Sequence, residues 1–254
     1  MKITRAVIPS LFTVLNIFCG FLSVLNTSQG KIELAAWFII LAAGFDALDG
    51  VMARITRSSS QFGVELDSLC DVVSFGAAPS FLVYKAYLLN FENVGVLISA
   101  MPLVFGAIRL ARFNVQLVGF EKDYFKGLPI PMQAMTICAF VLQYYTGGFG
   151  FQGWARDAVA PLVMVLSLLM VSKVRYDTVP KFSRKGIKAH PWQAITFLIA
   201  AILVVVSQGR LWFDVMLAFI LFGLIRGGYE VLTRLLSKIE KDRVEENEVS
   251  SIDI

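Results

Sequence analysis

Charge is scarce in this chain. Of 254 residues only 17% are charged, against 57% hydrophobic. A soluble domain of this length could not hide so much apolar surface, so composition places the chain in a membrane. Cysteine is nearly absent as well. Cys19, Cys70 and Cys138 sit singly in apolar runs with no paired spacing, which excludes a disulfide framework and a cysteine zinc site. Histidine occurs once, at His190 before Pro191, where a loop residue is expected rather than a catalyst. No internal repeat is visible, and the length suits one bundle rather than several domains. The net charge of +4 is modest. The basic residues cluster in loops between apolar runs, which argues against nucleic-acid binding and fits an anionic inner leaflet.

What the chain does have is long hydrocarbon runs. Stretches of about 20 residues suit a bilayer span. Eight such spans are expected, at about 8–26, 32–53, 66–89, 94–117, 131–147, 155–172, 192–208 and 211–232. The first begins with "MKITRAVIPSLF" and lacks a small-residue cleavage site, so it is expected to be a retained helix. Lysine and arginine concentrate in alternate connections: Lys2 and Arg5; Arg54 and Arg57; Lys122 and Lys126; Lys173 to Lys188; and the tail from Arg234 to Arg243. The opposite set holds Lys31, Arg156 and Arg210. This asymmetry predicts that both termini face the cytoplasm. The last segment, 236–254, has mixed charge and is expected to fray into a disordered tail.

Against this background "DALDGVMARITRSSSQFGVELDSLCD", from Asp46 to Asp71, holds four aspartates and two arginines. Asp46, Asp49, Gly50, Ala53 and Arg54 fall at offsets 0, 3, 4, 7 and 8, one face of a helix. Asp67 and Asp71 share a face of the next helix, and the polar stretch "ITRSSSQFG" between them predicts an antiparallel return. By helical rise Asp46 lies about 12 Å inside the helix end at Arg54. A lone aspartate near a helix end snorkels to the headgroups. Four converging at this depth repel one another and cannot all stay ionised unpaired. A divalent cation resolves the conflict, and carboxylate oxygens suit magnesium, manganese or calcium. Four carboxylates could hold two ions, or one ion plus a general base. Gly50 and Gly63 let a substrate approach closely, and Arg54 is placed to meet a phosphate.

The stretch reads D-x2-D-G-x2-A-R-x8-G-x3-D-x3-D without departure, and it resembles the defining motif of the CDP-alcohol phosphotransferase family. The resemblance implies an all-α polytopic bundle with a six-helix core, commonly a homodimer. It implies that Asp46, Asp49, Asp67 and Asp71 bind two divalent ions, Mg2+ or Mn2+. Asp46, Gly50, Ala53, Arg54 and Gly63 would hold the CDP-diacylglycerol, and Asp71 would be the base for the acceptor hydroxyl. "SFGAAP" (Ser74–Pro79), "RLARFN" (Arg109–Asn114) and "GLPIP" (Gly127–Pro131) resemble the branch that transfers the phosphatidyl group to L-serine. Residues 1–190 would then be the core, 191–235 two additional spans and 236–254 the cytoplasmic tail.

Arg109 and Arg112 lie three apart at a depth matching Asp46, so either could meet a zwitterion's carboxylate; Arg112 is the first choice, Arg109 the second. Balancing the aspartates or holding a dimer would serve equally well. Glycerol 3-phosphate or an inositol phosphate would be alternative acceptors, and would want extra cations in the pocket. A divalent-cation transporter is the reading from a different class; it would not need Arg54 or the glycines. A phospholipase D-type mechanism, which uses paired His-Lys-Asp motifs, is excluded by the single histidine. The expected protein is thus a multi-pass cell-membrane transferase with its active site on the cytoplasmic side.

Overall fold

The computed structural model describes residues 7–56, 61–118, 127–172, 174, 206–207, 210–229 and 233. Those residues are almost entirely helical. In chain order, α1 is Val7–Ser28, α2 Ile32–Thr56, α3 Gln61–Asp71, α4 Ala78–Ala86, α5 Glu92–Val118, α6 Ile130–Tyr144 and α7 Gly153–Val171. A π-helical turn, Val72–Ala77, joins α3 to α4, and a short 3-10 turn, Leu88–Phe91, leads into α5. A small antiparallel hairpin, β1 (Tyr145–Thr146) and β2 (Gly150–Phe151), links α6 to α7. The last described helix, Trp212–Tyr229, is called α8.

Among the described residues six stretches are long and apolar enough to cross a membrane: Leu11–Ser28, Ile32–Met52, Gln61–Ala86, Leu88–Val115, Gly153–Val171 and Trp212–Tyr229. The helix α6, with 15 residues, extends about 22 Å, short of the roughly 30 Å hydrocarbon core. The span expected at about 131–147 is shorter than that, since the helix stops at Tyr144 and the hairpin follows. The span expected at 192–208 lies almost wholly outside the described residues, as does the tail 236–254.

Local chemistry explains the turns. The first helix closes with a Schellman motif: Lys31 N–H donates to the Asn26 carbonyl at 2.9 Å and Gly30 N–H to the Thr27 carbonyl at 3.0 Å. Gly30 occupies the left-handed region at φ 77° that this cap requires. The chain therefore reverses within three residues, and α1 and α2 pack as a long antiparallel pair. The third span was expected to begin at residue 66, after a turn over "ITRSSSQFG". Instead α2 continues to Thr56 and α3 starts at Gln61. Hydropathy marks only the part of a helix that lies in hydrocarbon, so the polar first turn of α3 escapes it.

The third span is not a uniform α-helix. Pro79 has no N–H to bond the Phe75 carbonyl, and its ring crowds that carbonyl, so the wider π turn precedes it. This turn packs almost backbone to backbone on α1. A Cβ on Gly20 would lie 2.8 Å from Ser74 Cα, and Ser74 Oγ donates to the Asn16 carbonyl at 3.0 Å. On its other side Gly76 meets Leu103 of α5, while a Cβ on Gly106 would lie 2.5 Å from Ile130 Cδ1 of α6. Small residues at these crossings let the helices approach where a hydrophobic driving force between them is lacking.

At the opposite end of the bundle, Phe140, Tyr144, Phe151, Trp154 and Phe213 form an aromatic cluster with ring centroids 4.8–6.4 Å apart. Gln143 Nε2 donates to Asp214 Oδ2 at 3.1 Å, and Trp37 lies 6.0 Å from Trp212, so α8 is fastened to α6 and α2 here.

Candidate functional site

The site forms where α1, α2, α3 and α5 meet. Asp46 and Asp49 come from successive turns of α2. Asp67 and Asp71 come from successive turns of α3, and Asp71 is its last residue, directly before the π turn. The carboxylates of Asp46, Asp67 and Asp71 each offer an oxygen within 4.8 Å of the others. Asp71 is buried and Asp46 and Asp67 are half-buried. All the donors are hard anionic oxygens held by two helices, and this set could hold a metal ion. Without a cation, three carboxylates this close in a low-dielectric interior would drive one another apart.

Asp49 stands slightly aside. It is buried, accepts a short hydrogen bond from Thr13 Oγ1 of α1, and lies within electrostatic reach of Asp46 and Asp67. The first helix also braces Asp71, because Asn16 Nδ2 donates to Asp71 Oδ1 at 3.2 Å. From the other side α5 brings Arg109 into electrostatic reach of Asp71. Arg109 Nε is buried with no hydrogen-bond partner among the described residues. Arg112, the first choice from sequence for the acceptor carboxylate, has an exposed side chain; Arg109, the second choice, is the one beside the cluster.

The remaining motif positions divide in two. A Cβ on Gly50 would meet nothing within 4 Å, so the α2 face beside Asp46 and Asp49 is open. Gly63 is half-buried in the first turn of α3. Ala53 and Arg54 are helical in the last turns of α2, but their side chains lie outside the described residues.

Three supports were not anticipated from sequence. Thr13 braces Asp49. Asn114 of α5 donates to Ser68 Oγ at 3.1 Å and to Glu65 Oε2 at 3.2 Å, fastening α5 to the flank of α3 next to the face that carries Asp67 and Asp71. Gly20 permits the close crossing that brings Asn16 to Asp71. Thr13, Asn16, Gly20, Ser23 and Thr27 recur at spacings of 3, 4, 3 and 4 in an apolar helix, all of them buried. That stripe was a readable sign of a polar face turned inward.

With this geometry described, comparison with known proteins decides the family. The family model described as CDP-alcohol phosphatidyltransferase matches residues 6–172. The chain belongs to the CDP-alcohol phosphatidyltransferase family. It is 36% identical over 218 residues to a CDP-diacylglycerol–serine O-phosphatidyltransferase of Helicobacter pylori, covering 86% of this chain and 90% of that one. An archaetidylserine synthase of Methanothermobacter thermautotrophicus is 39% identical over 181 residues, covering 70% of this chain and 73% of the relative. The corresponding serine transferase of Bacillus subtilis is 30% identical, covering 73% of this chain and 98% of its own. Among solved structures, a phosphatidylinositol phosphate synthase of Mycobacterium tuberculosis with CDP-DAG bound superposes with a TM-score of 0.51. It shares 21% identity over 66% of this chain and 83% of that one, and it supports the fold. Family membership makes the chain an enzyme of phosphatidyl transfer, built as a multi-pass helical membrane protein.

Proposed function

We propose that this enzyme transfers the phosphatidyl group of CDP-diacylglycerol to the hydroxyl of L-serine, giving phosphatidylserine and CMP. The observation that carries the reading is the convergence of the Asp46, Asp67 and Asp71 carboxylates inside an apolar bundle, with Arg109 beside the most buried of them. Asp71 accepts the proton of the acceptor hydroxyl. The serine oxygen forms a bond to the phosphorus carrying the diacylglycerol as the P–O bond to CMP breaks, and CMP leaves with that electron pair. Two Mg2+ or Mn2+ ions, when bound, would neutralise the diphosphate and the charge growing on CMP. Asp46, Asp49, Asp67 and Asp71 hold them, with Asp49 oriented by Thr13.

The open face at Gly50 leaves room for the cytidine diphosphate, which Asp46, Gly50, Ala53, Arg54 and Gly63 would hold. A planar guanidinium at position 54 suits a bidentate phosphate contact. A diacyl substrate reaches such a site from the lipid, which accounts for catalytic carboxylates set within membrane-spanning helices. The positive-inside distribution supports a cytoplasmic active site in the cell membrane. Residues 1–190 form the catalytic core, 191–235 add two spans and 236–254 a tail, and the enzyme works as a homodimer.

Serine is preferred as acceptor because relatives that this chain covers extensively are named for serine transfer. Arg109 also offers one cation where a phosphorylated acceptor would want several. The test supplies purified protein with CDP-diacylglycerol, manganese and, separately, labelled L-serine, glycerol 3-phosphate or an inositol phosphate. Label is expected in lipid from serine. Incorporation from another acceptor alone would overturn the serine assignment. No CMP release with any acceptor would overturn the transferase reading and favour a cation transporter.

A further inference from the structure

Two unsatisfied groups flank Asp71 from different helices. Asn16 of α1 has no solvent exposure. Its Nδ2 is committed to Asp71 at 3.2 Å, while its Oδ1 is buried with no hydrogen-bond partner. Its backbone carbonyl receives Ser74 Oγ, which fastens this turn of α1 to the π turn beside Asp71. On the α5 side, Arg109 Nε is likewise buried with no partner, within electrostatic reach of the same carboxylate. A buried acceptor and a buried donor left unmade are costly unless a ligand completes them. The acceptor oxygen wants a donor, the guanidinium wants an anion, and the carboxylate between them wants a hydroxyl proton.

We propose that Asn16 and Arg109 form the acceptor subsite, with Asn16 Oδ1 receiving the α-ammonium of the amino acid, Arg109 its carboxylate and Asp71 its hydroxyl. This rests on the serine-transfer reading and deepens it. The three groups of a short β-hydroxy-α-amino acid match the three demands, and the selection is made by chemistry rather than by size. A neutral amide suits the ammonium because it adds no further charge to the aspartate cluster, whose negative field already favours a cation nearby. The bond from Nδ2 to Asp71 also turns the carboxylate, so the subsite and the base are aligned by one side chain. Asn16 is then a specificity-determining residue, and its companion Ser74 is a positioning residue acting through it.

The experiment uses the full-length protein in detergent with CDP-diacylglycerol and manganese. The KM for L-serine is measured together with competitive inhibition by 3-hydroxypropanoate, which lacks the ammonium, and by ethanolamine, which lacks the carboxylate. Asn16→Leu is expected to raise the serine KM by about 10- to 100-fold, the loss of one charge-assisted hydrogen bond. It should weaken ethanolamine similarly and leave 3-hydroxypropanoate inhibition within about threefold of wild type. Arg109→Met is expected to do the reverse, weakening 3-hydroxypropanoate and sparing ethanolamine. Asn16→Asp keeps an acceptor but loses the bond to Asp71, so kcat should fall while the serine KM stays within several-fold. Serine-dependent stabilisation in thermal melts supplies a readout without turnover. It should disappear in Asn16→Leu, while a cooperative melt shows that the variant is folded. If Asn16→Leu weakens all three ligands equally, or alters kcat alone, Asn16 acts only through Asp71 and the subsite is overturned. A wild-type protein that uses other acceptors but never serine overturns the functional reading instead, and the subsite with it.

Discussion

The two ends of the helical bundle are built from different helices and behave as opposites. At one end α1, α2, α3 and α5 bring like charges together in the three clustered aspartates and leave Asn16 Oδ1 and Arg109 Nε buried without partners among the described residues. At the other, Phe140, Tyr144, Phe151, Trp154 and Phe213 interlock in edge-on and stacked pairs, and Phe140 is 2% exposed. The acidic end holds charged and polar groups that substrate and metal can satisfy. The aromatic end ties α6, α7 and α8 to one another and, through Trp37 and Trp212, to α2. Stability and function are therefore spatially separated, and substitutions can be used to pull them apart.

The largest effect is expected at the centre of the polar end. Asp71→Asn should lower CMP release by about 10³-fold or more, because both the proton acceptor and a metal-site oxygen are altered. Thermal stability should stay level or rise as a buried charge is removed, read by a melt in detergent. Removal of divalent metal by a chelator should abolish turnover, with recovery on adding Mg2+ or Mn2+ and none on adding monovalent salt. Next comes the crossing between the ends. Gly20→Val places a side chain within 2.8 Å of Ser74 Cα and should cost about 1–3 kcal/mol in stability. It should also lower activity, because the displaced α1 takes Asn16 and Thr13 with it. Phe140→Ala should cost about 3 kcal/mol or more in thermal or denaturant unfolding and leave the KM for both substrates within about twofold. If it damaged KM as strongly as stability, the separation of the two ends would fail. The smallest effect is expected at Asn114→Ala, about 1 kcal/mol and a few-fold in kcat, since Glu65 and Ser68 lose one tether to α5.

Much of this was legible in the chain because charge in a membrane is costly and therefore informative. The four aspartates stood out by spacing alone, and their meeting required only that two helices return antiparallel. The resemblance then named the chemistry, and the family match bears out that part of the reading. The choice between Arg109 and Arg112 was not legible. Positions three apart on a helix sit only about 60° from one another, so either could turn inward, and which does depends on how α5 crosses α3. The π turn was equally hidden. Its cause, Pro79, is visible in the sequence, but whether a proline yields a kink, a break or a wider turn depends on the packing of Gly20 and Leu103 against the freed backbone. The boundary of α3 was missed for a plainer reason, since a helix can begin in water before hydropathy reveals it. The stripe from Thr13 to Thr27 could have been read and was not, because threonine and serine are tolerated in membrane helices without any site nearby.

The central claim is that α2 and α3 together build a metal-dependent centre for phosphatidyl transfer. Its most direct test follows Mn2+ binding by electron paramagnetic resonance and CMP release in the same samples, comparing wild type with Asp67→Asn. The account predicts that bound Mn2+ and serine-dependent CMP release are lost together, while CDP-diacylglycerol and L-serine are present in excess. Wild-type turnover in Asp67→Asn, or turnover that is indifferent to manganese, would contradict it.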